Sequence, residues 1–283
     1  MRAVVVHETG GPEVLRTQDL PSPQAGPGEL RVDVAAAGVN FIDVYHRTGA
    51  GYAEQVLVPA GRAVPVPAGI DDQTAGAVLL QGLTAQYLTR STYPARPGET
   101  ALVHAAAGGV GLLLTQVLSS RDVRVIATTS TQSKAALALQ AGADDVIRYD
   151  EDDVAAEVSR LTGGRGVDVV YDGVGQATFA GSIDSLRTRG MLVSYGSASG
   201  KVAPVDPLLL QSKGSLFFTR PTLAHYVADR DELLERSREL FGWVASGELS
   251  VRVGARYSVD EAPRAHEDLE SRRTTGKSLI IPR

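Results

Sequence analysis

The chain has 283 residues, of which 43% are hydrophobic and 22% are charged, proportions that are ordinary for a globular protein. This length exceeds what one compact core usually holds, so we expect two domains. The net charge of −5 argues against nucleic-acid binding, and the absence of cysteine excludes disulfides, thiolate metal sites and a thiol nucleophile. The first residues are charged too early for a signal peptide, and no apolar run approaches the ~18 residues of a membrane span. We therefore expect a cytosolic protein without membrane or nucleic-acid partners.

The first 68 residues have the composition of β-structure. They are rich in Val, Gly and Pro, and short runs such as residues 29–34 alternate apolar and polar side chains. The tail has the same character, with strands expected at 249–253 and 278–281. Between them a capping box, Ser258 with Glu261, begins a helix that runs to residue 271. This similarity indicates that the tail returns to the first domain.

A glycine turn in the middle of the chain is its most informative feature. The apolar run 101–105 precedes Gly108-Gly109-Val110-Gly111, and a second apolar run, 112–118, follows. Side chains are nearly absent from residues 105–109, so a diphosphate can approach the backbone, and the N–H groups of the next helix point at that anion. The turn predicts a dinucleotide site, although a glycine turn can also serve tight packing alone.

Around this turn, strands and helices alternate regularly. Six strands with helical crossovers imply a doubly wound α/β fold, in which helices cover both faces of a parallel sheet. The predicted domains are a substrate domain, 1–82, a nucleotide-binding domain, 83–247, and a tail, 248–283, that returns to the first domain. Besides strand 101–105, we expect strands at 123–127, 145–149, 167–172, 191–195 and 215–219, and helices at 112–118, 132–140 (capped by Ser130 or Thr131), 152–161, 176–188 and 229–245.

Several motifs together resemble one protein family. They are residues 10–15 (GGPEVL), 36–43 (AAGVNFID), 104–111 (HAAAGGVG), 142–144 (GAD), 161–172 (LTGGRGVDVVYD) and 219–221 (TRP). In combination they resemble the zinc-free, zeta-crystallin-like NADPH:quinone oxidoreductases of the medium-chain dehydrogenase/reductase superfamily, over nearly the whole chain. The resemblance implies a Rossmann sheet beside a smaller GroES-like β-barrel substrate domain, with the active site in the cleft between these domains.

One stretch departs from the family pattern. After Arg47-Thr48-Gly49 the family continues through a proline-rich loop and a glycine-rich hairpin. Here Ala50-Gly51-Tyr52 follows at once and resembles the segment beyond that hairpin. By this comparison roughly forty residues are absent, which is room for several strands of about 5–6 residues each. We therefore expect a truncated substrate domain with exposed strand edges.

The second strand of the sheet indicates which dinucleotide is bound. An NAD site would place Asp or Glu near its end, whereas this strand ends with Thr129 and Ser130, and Lys134 follows one turn later. Hydroxyls and an ammonium suit a 2′-phosphate, although they equally suit a helix cap and a solvated lysine. The resemblance implies that Lys134 and Tyr149 contact the adenosine phosphate, and NADPH is the expected cofactor.

The resemblance also implies which residues serve the reaction. Hydride moves from C4 of the nicotinamide to an electron-poor acceptor, while the protein orients the ring and donates hydrogen bonds to a developing oxyanion. By family position Asn40 and Tyr45 lie beside the nicotinamide and Arg220 approaches from the last strand. Each has a structural alternative: a turn for Asn40, the core for Tyr45, and an ion pair at a subunit edge for Arg220. Gly173, Gly196, Ser197 and Ser199 follow strand ends at the carboxyl edge, where the nicotinamide half is expected, although ordinary turns explain them equally well. Gly276 and Lys277 resemble the family's tail contact with the cofactor, although an exposed lysine is the simpler explanation.

No metal is expected, because zinc dehydrogenases of the superfamily need a Cys/His/acid set that this chain lacks. The histidines show no ligand spacing; they are His7, His46, His104, His225 and His266. The leading function is NADPH-dependent reduction of quinones. Reduction of α,β-unsaturated carbonyls (enones) and NADPH binding with impaired catalysis are the alternatives. A two-fold homodimer is expected through residues 215–219, where Leu216-Phe217-Phe218 forms an apolar sheet edge.

Overall fold

The computed structural model describes residues 1–45, 47 and 49–282, and for residues 49 and 50 the backbone alone. His46 and Thr48, which the sequence analysis mentions, lie outside the described residues. Contacts between Cα atoms divide the chain into two compact units. Unit 1 comprises Met1–Leu80 together with the chain from Ala228 onward, and unit 2 comprises Gln81–Val227. The domain boundaries at residues 82 and 247 stay predictions.

The strands and helices are as follows. The strands are β1 (Arg2–Val6), β2 (Arg16–Asp19), β3 (Glu29–Asp33), β4 (Ala37–Val39), β5 (Gly49–Gly51), β6 (Gln55–Pro59), β7 (Thr100–Val103), β8 (Arg124–Thr129), β9 (Asp145–Arg148), β10 (Val167–Asp172), β11 (Leu186–Ser194), β12 (Phe217–Thr219), β13 (Val253–Ser258) and β14 (Lys277–Ile281). The α-helices are α1 (Phe41–Tyr45), α2 (Asp72–Tyr87), α3 (Gly109–Ser119), α4 (Gln132–Gln140), α5 (Val154–Leu161), α6 (Phe179–Ser185), α7 (Pro207–Ser212), α8 (Leu223–Tyr226), α9 (Arg230–Ser246) and α10 (Ala262–Glu270). Among the described residues, no helix has the length and apolar character that crossing a membrane requires.

Unit 2 is built on a six-stranded sheet with the order β12-β11-β10-β7-β8-β9. Every adjacent pair in it is parallel. The chain enters at β7, fills one side through β8 and β9, then crosses to β10 and fills the other side. This is the order of a doubly wound Rossmann sheet, and it confirms the predicted fold class. The core contains apolar residues from five of the strands, among them Leu102, Ile126, Ile147, Val170 and Leu192.

Local sequence signals fix the ends of several helices in this unit. Thr131, one of the two predicted caps, begins α4, and its side chain accepts the N–H of Lys134 at 3.3 Å. Asp153 caps α5 by accepting the N–H of Ala156 at 2.8 Å. Gly142 follows α4 with φ +98°, a conformation that favours glycine. The helices therefore begin and end where side chains or glycine satisfy their terminal groups.

The predicted elements differ most from the structure at two places, the start of β11 and the start of β13. The helix expected over 176–188 ends at Ser185, because Leu186 already pairs with Val167 of β10 and belongs to β11. The strand expected over 249–253 is absent from 249–252. Instead β13 begins at Val253, where pairing with β14 begins. In both cases the backbone hydrogen bonds of a neighbouring strand decided the boundary.

Unit 1 contains three small sheets, with the strand orders β2-β1-β5, β3-β6 and β13-β14-β4. The last strand, β14, pairs in parallel with β13 and antiparallel with β4, so that Ser278 lies opposite Val39. The tail thus pairs with an N-terminal strand. A small core joins these parts and includes Val4, Leu15 and Ile280.

The two-stranded ribbon β3–β6 is unusually exposed. All five residues of β3 are exposed, and its apolar side chains Leu30 and Val32 have 44% and 38% of their surface accessible. On the facing strand Val56 is 42% accessible. Isolated two-stranded ribbons are marginally stable, and apolar strands normally bury one face. This ribbon has the exposure expected of a domain that lacks part of its sheet.

Candidate functional site

The predicted glycine turn connects β7 with α3 in unit 2. Ala105 adopts φ +50°, and its carbonyl accepts the N–H of Gly108 at 2.9 Å. Gly108 is the N-cap of α3 and makes no side-chain cap. The first N–H groups of the helix, including those of Gly109 and Val110, have no acceptor within the helix. They lie at the carboxyl edge of the sheet beside the point where the strand order reverses, which is where open α/β sheets bind ligands.

Gly111 has a separate, steric reason to be glycine. A Cβ at this position would lie 2.4 Å from the carbonyl oxygen of Ala105 and 2.7 Å from the Cα of Ala106. Real Cβ atoms do not approach backbone so closely, so any larger residue would push α3 away from the turn. The same turn therefore serves tight packing and leaves an open helix N-terminus suited to a diphosphate.

The end of β8 brings together the residues predicted to recognise the adenosine phosphate. Thr129 is buried, and its Oγ1 has no hydrogen-bond partner among the described residues. The Oγ of Ser130 lies 3.5 Å from the Nζ of Lys134. Tyr149 is half-exposed and joins this edge through its N–H, which donates to the Thr129 carbonyl at 3.1 Å. An orphaned hydroxyl, a second hydroxyl and an ammonium fit an anionic group, and residues 127–134 include no carboxylate.

The loops after β10 and β11 pack directly against each other. A Cβ at Gly196 would lie 2.3 Å from the carbonyl oxygen of Gly173. The hydroxyl of Ser199 accepts the N–H of Ala177 at 2.9 Å and donates to the Val174 carbonyl at 2.8 Å. The predicted residues Gly173, Gly196 and Ser199 therefore form one interlocked pair of loops, and their contact with a cofactor stays a prediction.

Arg220 follows β12 and is held against the end of β11. Its guanidinium donates to the Ser194 carbonyl at 2.9 Å and to the hydroxyl of Ser197 at 3.4 Å. The structure thus brings Arg220 and Ser197, two predicted site residues, together at the carboxyl edge of the sheet. Through these contacts Arg220 helps to hold the loop after β11 in place. Its contact with a substrate stays a prediction.

In unit 1 the structure brings Asn40 and Lys277 together, although 237 positions separate them in the sequence. The Nζ of Lys277 donates to Oδ1 of Asn40 and to the Val39 carbonyl, the latter at 2.8 Å. Gly38 makes room for the lysine, because a Cβ there would lie 2.6 Å from the Cε of Lys277. The lysine is 4% exposed, and this burial lowers its pKa to about 7, although Asp43 acts in the opposite direction. Gly276 precedes it with φ +62°.

Tyr45 does not lie in the core, which was the structural alternative to a role beside the nicotinamide. It is 49% exposed, and its ring lies 5.7 Å from that of Phe41, measured between centroids. Its role beside the nicotinamide stays a prediction.

Sequence reasoning missed a polar cluster next to Asn40. The hydroxyl of Tyr52 donates to Oδ2 of Asp43 at 2.7 Å and lies 2.9 Å from Nε2 of His266. The Nε of Arg47 donates to the other ring nitrogen of His266 at 3.3 Å. Burial and the guanidinium of Arg47 lower the pKa of His266 to about 4. His266 lies 214 positions from Tyr52 and 219 from Arg47, so no local spacing could have revealed its place in the cluster.

The described residues contain no group of three or more His, Asp or Glu side chains that could hold a metal ion. His46 is not among these residues. The expectation that the reaction needs no zinc stays a prediction.

Comparison with known proteins agrees with this architecture. Residues 109–235 match a family model described as zinc-binding dehydrogenase. The chain is 40% identical to a quinone oxidoreductase of Pseudomonas aeruginosa, over 96% of this chain and 97% of that protein. It superposes on the Escherichia coli quinone oxidoreductase complexed with NADPH with a TM-score of 0.97 at 38% identity, and the match covers 100% of both chains. A 2-haloacrylate reductase of a Burkholderia species is 35% identical over 99% of this chain and 98% of that protein.

The fold and the glycine turn define a nucleotide-dependent dehydrogenase or reductase with a Rossmann sheet. Within that class, the chain belongs to the quinone oxidoreductase family. The alignment with the Pseudomonas protein spans 315 positions, whereas this chain has 283 residues. Only 96% of this chain, about 272 residues, takes part in that alignment, so about 43 of its positions face no residue here, which is close to the predicted size of the missing stretch.

Proposed function

We propose that this chain catalyses NADPH-dependent reduction of quinones without a metal. The observation that carries the proposal is the end of β8, where Lys134, Ser130 and the unpartnered hydroxyl of Thr129 lie together. This group suits the 2′-phosphate that distinguishes NADPH from NADH. Relatives named quinone oxidoreductases, one of them solved with NADPH, support the same reaction.

Within unit 2, different loops suit different parts of the cofactor. The glycine turn and the start of α3 suit the pyrophosphate, and the loops with Gly173 and Gly196 suit the nicotinamide half. When bound, NADPH supplies a hydride from C4 of its nicotinamide. In unit 1, Lys277 and the Gly38 carbonyl hold the amide of Asn40 in one orientation, and such a fixed amide suits the expected role of Asn40 beside the nicotinamide.

A second candidate function is reduction of an activated carbon–carbon double bond. The Burkholderia relative named 2-haloacrylate reductase favours testing it, because a haloacrylate is an α,β-unsaturated acid. The same hydride transfer serves both reactions. A third candidate is NADPH binding with impaired catalysis, which the exposed β3–β6 ribbon favours because it indicates an incomplete substrate domain.

Steady-state oxidation of NADPH by the purified chain, with a panel of quinones, enones and 2-haloacrylate, separates these candidates. Turnover with quinones above all other acceptors supports the main proposal, and faster turnover with enones or 2-haloacrylate supports the second. Binding of NADPH in a fluorescence titration without turnover supports the third. Failure to bind NADPH would contradict all three.

We also propose that the chain forms a two-fold homodimer through β12. This strand ends the sheet, and Phe217 on it is 56% exposed, which is unusual for a large apolar side chain at an open sheet edge. Light scattering at micromolar concentration should give twice the mass of the chain. A monomer there, or a dimer that survives Phe217→Lys unchanged, would contradict this interface.

A further inference from the structure

Four polar side chains are buried beneath the carboxyl edge of the unit 2 sheet and form one chain of hydrogen bonds, which we call the His104 relay. Its members are Thr128 at the end of β8, His104 after β7, Ser182 on α6 and Asp172 at the end of β10. Nδ1 of His104 lies 3.0 Å from Oγ1 of Thr128, and Nε2 lies 3.0 Å from Oγ of Ser182. All four residues are at most 2% exposed.

The carboxylate of Asp172 sets the direction of every bond in the relay. The hydroxyl of Ser182 donates to Oδ2 of Asp172 at 3.0 Å. Its oxygen must then accept from Nε2–H of His104, which leaves Nδ1 to accept from Thr128. His104 is therefore a neutral imidazole protonated at Nε2. Burial lowers the pKa of His104, although the charge of Asp172 opposes the shift, so the neutral form agrees with the geometry.

The two ends of the relay support different halves of the proposed nucleotide site. Thr128 directly precedes Thr129 and Ser130, which belong to the proposed site for the adenosine phosphate. At the other end, Oδ1 of Asp172 accepts the N–H groups of Val174 at 2.7 Å and Gly175 at 3.0 Å, which shapes the loop predicted to hold the nicotinamide half. Because β8, β7 and β10 are neighbours in the sheet, His104 connects these supports across the middle strand.

We propose that His104 is a positioning residue for NADPH, acting through Thr128 and Asp172 rather than by touching the cofactor. The inference rests on the proposed function. A histidine buried only to fill space would be replaceable by leucine at little cost to the site. A histidine that accepts from Thr128 on β8 and donates to Ser182, which in turn donates to Asp172 on β10, keeps both nucleotide-binding loops in register. In that case the two hydrogen bonds of His104, and not its volume, support NADPH binding.

Two substitutions at position 104 separate these roles. His104→Leu removes both hydrogen bonds, whereas His104→Gln keeps one donor and one acceptor in a side chain of similar reach. Loss of a net hydrogen bond of about 1–1.5 kcal/mol corresponds to roughly 5- to 12-fold in affinity. We expect His104→Leu to raise the dissociation constant for NADPH about tenfold and His104→Gln to raise it less than about threefold.

Because variants of a buried histidine can fail to fold, milder substitutions at other members of the relay provide a second test. Thr128→Val is nearly isosteric and should raise the dissociation constant roughly fivefold. Ser185→Ala is the matched control for Ser182→Ala, because Ser185 is also buried on α6 but donates to the Gly181 carbonyl at 2.7 Å, outside the relay. Ser182→Ala should weaken NADPH binding, and Ser185→Ala should leave it unchanged.

Nitrogen-15 NMR of the histidine rings tests the relay without any cofactor. We expect wild-type His104 to give the pure Nε2–H tautomer, and Ser182→Ala to shift it toward the Nδ1–H form because Nε2 loses its acceptor. Equal affinity losses in His104→Leu and His104→Gln, or an Nδ1–H tautomer in the wild type, would overturn the inference. Wild-type NADPH binding without quinone turnover would refute the proposed function alone, whereas wild-type failure to bind NADPH would overturn both.

Discussion

The predicted missing stretch falls within unit 1, and the two units differ in how completely their apolar residues are buried. Unit 2 has a complete parallel sheet with a continuous apolar core, whereas unit 1 has three small sheets and a ribbon whose apolar residues face solvent. In a βα repeat, each crossover helix covers the strands beside it, so nearby sequence supplies most of the burial. In a small β-domain, strands are covered by partners from far away in the sequence. The loss of such partners exposes what remains.

A second comparison concerns polar networks. In unit 2 the His104 relay runs between neighbouring strands of an intact sheet. In unit 1 Arg47 donates to His266, which contacts Tyr52, which in turn donates to Asp43. Tyr52 lies directly after the predicted gap and adopts φ +45°, an uncommon conformation for tyrosine. The network beside Asn40 therefore depends on the segment that the missing stretch would alter, whereas the His104 relay does not.

The largest expected effect comes from restoring the missing stretch. Insertion of a family-like segment of roughly forty residues between residues 49 and 52 should raise kcat/KM for quinones by at least about tenfold, because a covered site excludes water. The dissociation constant for NADPH should change by less than about threefold, because unit 2 is already complete. Parallel kinetics and fluorescence titrations check both numbers. Equal kcat/KM before and after insertion would show that the stretch is dispensable.

Lys134→Ala should act on unit 2 alone. Only NADPH carries the extra phosphate, so we expect its affinity to fall while that for NADH stays the same. Loss of one charge-assisted hydrogen bond of about 1.5–3 kcal/mol corresponds to roughly 10- to 150-fold. The control is Lys213→Ala, which removes an exposed lysine that pairs with Asp184. Titration with both nucleotides measures the effect, and parallel losses for NADPH and NADH would rule out the phosphate assignment.

Gly111→Ala tests the close contact under the nucleotide turn. The new Cβ would meet the Ala105 carbonyl, so we expect the free energy of unfolding to fall by about 1–3 kcal/mol. Gly181→Ala on α6 is the matched control, because nothing lies within 4 Å of its Cβ and alanine favours a helix by up to about 1 kcal/mol. Denaturant unfolding of both variants should give shifts of opposite sign. Similar free energies of unfolding for the two variants would mean that the turn accommodates the added Cβ without loss of stability.

The smallest expected effect is a pH dependence from unit 1. Burial lowers the pKa of Lys277 to about 7, so above that pH the unfolded chain binds a proton that the folded chain has released. Stability should therefore rise with pH from 7 toward the ordinary lysine pKa, and the cost of burying the charge is fully present below pH 7.

Lys277→Met removes this proton linkage. Relative to that variant, the wild-type free energy of unfolding should increase by up to about 2 kcal/mol between pH 7 and pH 9. Lys201→Met, at an exposed lysine, is the control. Urea unfolding at several pH values checks the slope. A wild-type difference that stays flat or falls over this range would contradict a buried, readily deprotonated lysine.

The parts of the molecule that could be predicted from sequence are those with local signals. The glycine turn, the strand and helix order of unit 2, the cap at Thr131 and the capping box at Ser258 all rest on residues a few positions apart. The start of β11 and the position of β13 could not be predicted, because pairing with β10 and β14 fixed them. Local preference yields to hydrogen bonds that only the assembled sheet offers.

The sequence by itself determined the class of fold and the glycine turn, and it predicts the phosphate site, since each rests on side chains that are neighbours along the chain. It also indicated that about forty residues of the family pattern are missing. The tertiary structure alone decided that Lys277 reaches Asn40, that His266 joins Tyr52, and that His104 connects Thr128 with Ser182 and Asp172. Those contacts bring together residues from distant parts of the chain, and burial then sets their protonation in a way that no spacing reveals.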